Sequence, residues 1–138
     1  MMEKHRRKFY GWLPTVIAII IVLFVHYIYF GMPLYNTPSL KSISSVEILA
    51  YDENGEVSDK VTLTDEEDIY VAIRILKVSG VLYPLNKDFE PEIKVTFIGD
   101  DKTMTLMATN EYITWRGITY KLHKGVTAAL YKNIFIYR

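Results

Sequence analysis

The stretch EIKVTFIGDDKTMTLMAT, residues 92–109, decides how this chain folds. Two runs of alternating character flank GDDK. If Ile98 pairs with Thr103, then Phe97 falls opposite Met104, Val95 opposite Leu106 and Ile93 opposite Ala108, all on one face. Lys94, Thr96, Thr103 and Thr105 fall on the other. A one-residue slip would flip every side chain, so a register that sorts both strands at once is specific. The expected element is a β-hairpin closed by a four-residue loop.

The same logic repeats downstream in YITWRGITYKLH, residues 112–123. A two-residue turn at Arg116-Gly117 sets Trp115 opposite Ile118 and Ile113 opposite Tyr120. Upstream, SSVEILAY (44–51) alternates Val46, Ile48 and Ala50 against Glu47, Leu49 and Tyr51, the period of a strand. DENG supplies a turn with Gly55 at its end, and EVSDKVTL (56–63) returns as an irregular strand.

TDEEDIYVAIRILKVSG (64–80) has helical spacing. Thr64 and Glu67 form a capping box, and the acidic run complements the positive end of the helix dipole. Ile69, Ala72, Ile73 and Leu76 make one apolar stripe, with Gly80 as the stop. VLYPLNKDFEPE (81–92), broken by Pro84 and Pro91, reads as a loop. GVTAALYKNIFIYR (125–138) places Val126, Ala129, Leu130, Asn133 and Ile134 at helical spacing, followed by a β-branched tail. The expected order is ββαββββα. Consecutive hairpins imply a mainly antiparallel sheet with one or two helices on its apolar face, a two-layer α+β domain.

The N-terminal third has a different character. The 138-residue chain holds 16 basic and 16 acidic residues. Residues 1–10 carry Lys4, Arg6, Arg7 and Lys8 against Glu3, whereas the chain from residue 39 onward is slightly acidic. A nucleic-acid binder would cluster basic residues on its folded part, so no nucleic-acid partner is expected. Between Lys8 and Lys41 there is no Asp, Glu, Lys or Arg. Trp12–Phe30 is the most apolar run, close in length to the ~30 Å hydrocarbon core of a bilayer at ~1.5 Å per residue. A cleavable signal has a shorter apolar region and small residues at the cut; this run ends in bulky aromatics.

The organisation read from these features is a cytoplasmic basic tail (1–10), a retained transmembrane signal-anchor (11–31), a linker (32–42, GMPLYNTPSLKS continuing from Gly31) and an extracytoplasmic domain (43–138). The lipid bilayer is thus the first expected partner, met by residues 12–30. Arg6, Arg7 and Lys8 would anchor the inner boundary, with Trp12 beside them; Tyr27 and Tyr29 would sit at the outer one. The excess of positive charge before the span puts the N-terminus in the cytoplasm of a single-pass membrane protein. His26 lies one turn from the outer end, where a neutral imidazole reaches the interface.

Chemistry is scarce. There is no cysteine, which excludes a disulfide framework, a Cys-based zinc site, a thiol nucleophile and a lipid-modified cysteine. DENG and GDDK invite a calcium reading, but Gly55 is fourth from Asp52 rather than sixth and no Glu stands at the twelfth position. His123 is the sole histidine after the apolar segment, too few for zinc. A triad would have to join it to Ser39, Ser42, Ser44, Ser45, Ser58 or Ser79, and none lies in a Gly-x-Ser-x-Gly turn. No cofactor or metal is expected, and no enzymatic activity. What remains is the outward face of the 112–123 hairpin. Tyr112, Thr114, Thr119 and Lys121 alternate away from the core and Arg116 stands at the tip; Tyr and Arg often anchor interfaces.

SSVEILAYDENGEV, LTDEEDIYVAIRILKV, PEIKVTFIGDDKTMTLMA and YITWRGITYKL together resemble small extracytoplasmic domains of unknown function from Gram-positive bacteria, over residues 43–123. The resemblance implies a strand, a helix opened by an acidic cap, then meandering hairpins. It implies no site residues, and this chain departs from the lipoprotein members in lacking their cysteine. The expected function is a non-enzymatic interaction module at the cell envelope, binding a protein or cell-wall partner. The alternatives are an accessory or regulatory subunit of a transporter or signalling complex acting through its span, and, less favoured, a membrane-surface enzyme using His123.

Overall fold

The structure is a computed structural model that describes residues 11–137. Arg6, Arg7 and Lys8 lie outside the described residues. The chain divides into two compact units, Met1–Gly31 and Met32–Arg138.

In the first unit, helix α1 (Leu13–Phe30) carries Pro14 in its opening turn, where the missing N–H costs nothing. Gly31 ends it at φ +72°, its N–H donating to the Tyr27 carbonyl at 2.8 Å. A left-handed residue is needed there, and glycine takes that conformation without strain. The helix is long and apolar enough to cross a membrane, and none of its residues is buried. Its 18 residues span roughly 27 Å at ~1.5 Å per residue.

The second unit is an α+β domain around a seven-stranded, wholly antiparallel sheet. Its strands are β1 (Ile43–Tyr51), β2 (Val57–Leu63), β3 (Val81–Leu85), β4 (Ile93–Gly99), β5 (Thr103–Ala108), β6 (Tyr112–Trp115) and β7 (Ile118–Leu122). Helix α2 (Glu66–Val78) joins β2 to β3; α3 (Thr127–Tyr131) follows β7 and runs into a π-helical turn, Lys132–Ile136. The spatial order is β2-β1-β4-β5-β6-β7-β3. β2 and β3 are therefore the two edges, and α2 carries the chain from one to the other.

The register read at residues 92–109 is the one observed. Ile93 faces Ala108, Val95 faces Leu106, Phe97 faces Met104 and Ile98 faces Thr103. The second hairpin pairs Trp115 with Ile118 and Ile113 with Tyr120. Arg116 and Gly117 both have positive φ, 53° and 81°, as a two-residue turn of this twist requires. Val46, Ile48, Ile93, Val95, Phe97, Leu106, Ile113 and Trp115 form the buried face, with the Phe97 and Trp115 rings edge to face at 6.2 Å. Ile69, Ala72, Ile73 and Leu76 of α2 belong to the same hydrophobic cluster.

Several expectations are corrected. There are seven strands, so the order is ββαβββββα. The missed strand, β3, contains Pro84, which the sequence reading took as a breaker. Pro84 sits on an edge strand, where its lack of an N–H is tolerated. The cap of α2 is Asp65 rather than Thr64: its carboxylate accepts the Glu67 N–H at 3.1 Å. The helix ends at Ser79 in extended geometry, not on a left-handed Gly80. On α3 the buried residues are Thr127, Ala128 and Tyr131, then Phe135, a face rotated from the one expected. Tyr131 decides that rotation. Its hydroxyl donates to the Ala72 carbonyl of α2 at 2.7 Å, and its ring stacks on Phe135.

Residues 32–42, expected as a linker, fall within the second compact unit. Met32 pairs with Val81, exchanging backbone bonds of 2.7 and 2.8 Å. Leu34 and Pro38 are buried, Leu34 within the core cluster. The Trp115 indole N–H donates to the Tyr35 carbonyl at 2.8 Å. A short 3-10 turn, Leu40–Ser42, then delivers the chain to β1. We call this segment the strap.

Candidate interaction surface

One face of the sheet is in the core and the opposite face is not. On that second face lie Leu49, Lys94, Met107, Thr114 and Thr119, successive partners along one rung from β1 to β7, and all are half-buried. The candidate residues from the sequence fall here. Tyr112 and Lys121 are cross-strand partners, and so are Thr114 and Thr119. The two threonine hydroxyls meet at 2.8 Å, one donating to the other. Arg116 stands apart at the turn, exposed.

Tyr112 is already engaged by the protein itself. Lys87 donates to its hydroxyl at 2.9 Å. Phe89 stacks on its ring with centroids 6.0 Å apart. The Lys87 and Lys121 ammonium groups lie 4.5 and 4.9 Å from the ring centroid, where the ring's negative faces attract cations. The hydrogen bond to Tyr112 raises the Lys87 pKa above its ordinary value. Lys87 and Phe89 belong to the connection from β3 to β4, which the topology forces across three intervening strands. That connection covers the Tyr112 end of the face and comes beside Thr119, where Asn86, Lys87 and Asp88 line one cleft with it.

Sequence reading did not find Lys87, Phe89 or Met107. The signal for the first two lay in topology. Once β3 is placed at the far edge, residues 86–92 must bridge four strand spacings, roughly 19 Å, and have little slack to do anything but lie against the sheet. Met107 was legible in principle, because the register that puts Lys94 on the outer face puts Met107 opposite it.

A second feature lies at the tips of the β4–β5 and β6–β7 hairpins. A cleft of about 500 Å³ is lined by the end of the strap, by Asp100, Asp101 and Lys102 of the β4–β5 turn, and by Arg116. Gly99 belongs to this corner for a steric reason: a Cβ there would overlap the Ser42 carbonyl oxygen. The cleft carries both signs of charge on exposed side chains.

The remaining polar candidates have structural partners. Asp52 accepts the N–H groups of Asn54 and Glu56 at 2.9 and 3.0 Å, so its carboxylate closes the DENG turn. Ser79 donates to the Ile75 carbonyl at 2.7 Å and meets the Thr127 hydroxyl at 2.8 Å. With the Ser79 proton spent on Ile75, Thr127 is the donor of that second bond, and the buried pair ties α2 to α3. The backbone N–H of His123 donates to the Gly80 carbonyl at 2.9 Å. Among the described residues no group of three or more His, Asp or Glu is arranged to hold a metal ion. Trp12, just before α1, and Tyr29 within it are exposed, 56% and 63%, and Tyr27 is half-buried. No protein family, no curated protein and no solved structure matches this chain.

Proposed function

We propose that this protein is a single-pass membrane protein whose N-terminus is cytoplasmic. Its outer domain, a two-layer α+β sandwich with α2 and α3 on the core face, acts as a non-enzymatic interaction module at the cell envelope. The observation that carries the reading is the half-buried sheet face opposite the core, around Thr114, Thr119, Lys94 and Met107, borne on a domain that follows an apolar helix of membrane length. Its residues mix an unbranched thioether, a cation and hydroxyls, a composition suited to adaptable protein contacts rather than to bond-making. The partner is a protein or a cell-wall component, and the module needs no cofactor.

The test is photo-crosslinking in living cells from position 114, with a matched probe at Tyr70 on the exposed side of α2. A discrete adduct from 114 that Met107→Asp abolishes supports the reading. Equal adduct patterns from both positions, unchanged by Met107→Asp, would remove the sheet face from it.

A second reading makes the span itself the working part, as in an accessory subunit of a transporter or signalling complex. The aromatic ends of α1 and the absence of buried residues along it are compatible with that role. Exchanging Leu13–Phe30 for an unrelated apolar helix separates the two: adducts from 114 that survive the exchange favour the domain.

A further inference from the structure

The domain has an apolar corner at its β3 edge. The strap and β3 line a cleft of about 210 Å³ whose walls include Met32, Leu34, Tyr35, Tyr83 and Tyr120, with no charged side chain among its lining residues. Three of these are prominently exposed: Met32 56%, Tyr35 77% and Tyr83 53%. Val78, 58% exposed, closes α2 three residues before the bridged Val81. Val126, 48% exposed, adjoins Thr127, whose hydroxyl meets Ser79. Large apolar side chains left in water at one corner mark a surface that is normally covered.

The covalent chain says what covers it. Phe30 is the last residue of α1, and Met32 is already bonded into the sheet edge. Gly31 alone separates them, so about 7 Å of chain is all that lies between the end of the apolar helix and the first fixed residue of the domain. The opposite edge, β2, lies six strand spacings away, roughly 29 Å.

We propose that the outer domain is docked on the bilayer rather than held off it by a tether, with Met32, Tyr35 and Tyr83 seated in the lipid headgroup region. The occupant of the corner is the membrane surface. Tyrosine suits that depth because its ring enters the apolar boundary while its hydroxyl stays hydrated. The strap makes the docking rigid: its bonds to Val81 and Trp115 fix these side chains on the domain before they meet lipid. The proposal rests on α1 being a retained span.

The chain has no cysteine, so single-cysteine spin labels report unambiguously. The full-length protein in lipid nanodiscs would be labelled in turn at Leu23→Cys, Tyr35→Cys, Tyr83→Cys and Ser58→Cys, and probed with oxygen and a water-soluble nickel relaxant. Labels at 35 and 83 are expected to be several-fold less accessible to nickel than the label at 58, with raised oxygen accessibility. Adding Met32→Asp to the Tyr83→Cys protein should return the label towards the value at 58. If 35 and 83 are as open to nickel as 58 while 23 stays in lipid, docking is overturned and the span stands. If the label at 23 is itself open to nickel, the span reading fails and takes the proposal with it.

Discussion

The two edges of the sheet are finished by different means. At β2 the exposed strand carries Ser58, Asp59 and Lys60, with the Lys60 ammonium 3.8 Å from Glu47 of β1. Charge on an edge discourages another strand from adding to it. At β3 the device is the chain itself: Pro84 removes a donor, and the strap pairs Met32 with Val81. That edge is apolar where β2 is charged. The difference teaches that one edge is dressed for water and the other is integrated with a segment that arrives directly from the apolar helix.

If the strap is part of the core, the largest effect comes from Leu34→Ala. Leu34 is 7% exposed, and truncation should cost about 2–3 kcal/mol in denaturant unfolding, within the usual range for a buried leucine. A free linker would lose nothing measurable, so an unchanged midpoint would break the comparison. Trp115→Phe removes the indole donor from the Tyr35 carbonyl and leaves a small void. A loss of about 1–3 kcal/mol is expected, with faster hydrogen exchange in residues 32–38.

A buried bond between the two helices of the domain calibrates these values. Tyr131→Phe should cost about 1 kcal/mol at neutral pH by losing the bond to Ala72. Burial pushes the Tyr131 pKa far above the ordinary tyrosine value. A group whose folded pKa is raised stabilises fully below its unfolded pKa, near 10, and that contribution declines as pH rises further. The deficit of Tyr131→Phe should therefore narrow above about pH 10; a deficit constant to higher pH would refute a protonated, buried Tyr131.

The smallest effect belongs to the charged edge. Lys60→Ala should change stability by no more than about 0.5 kcal/mol, because the pair is solvent-exposed and long. Lys60→Val should instead show itself as concentration-dependent association in sedimentation, the behaviour the charge prevents. A Lys60→Val domain that stays monomeric at high concentration would leave the two edges equally inert.

How much of this was legible in the sequence follows from the range of each signal. The β4–β5 and β6–β7 hairpins were readable down to register, because alternation and turn chemistry are local. Arg116-Gly117 announces its own turn, and Phe97 and Trp115 announce their face. β3 was not readable, because a proline is a breaker only if the strand is central, and edge position is a property of the sheet. The strap failed for the same reason. Pro33, Asn36 and Pro38 look like linker composition, and nothing nearby says that Trp115, eighty residues on, needs the Tyr35 carbonyl. The site divides the same way. Tyr112, Thr114, Thr119 and Lys121 were placed on one face by period alone, whereas their cover by Lys87 and Phe89 depends on where β3 ends.

The central proposal is that the domain from Met32 onward works anchored at the outer side of a membrane. Labelling intact cells with a membrane-impermeant maleimide tests it most directly, using Ser58→Cys on the charged edge and Lys4→Cys before the span. The account predicts that position 58 reacts in intact cells and position 4 reacts only after permeabilisation. The reverse pattern, or reaction at neither position until the cells are opened, would contradict it.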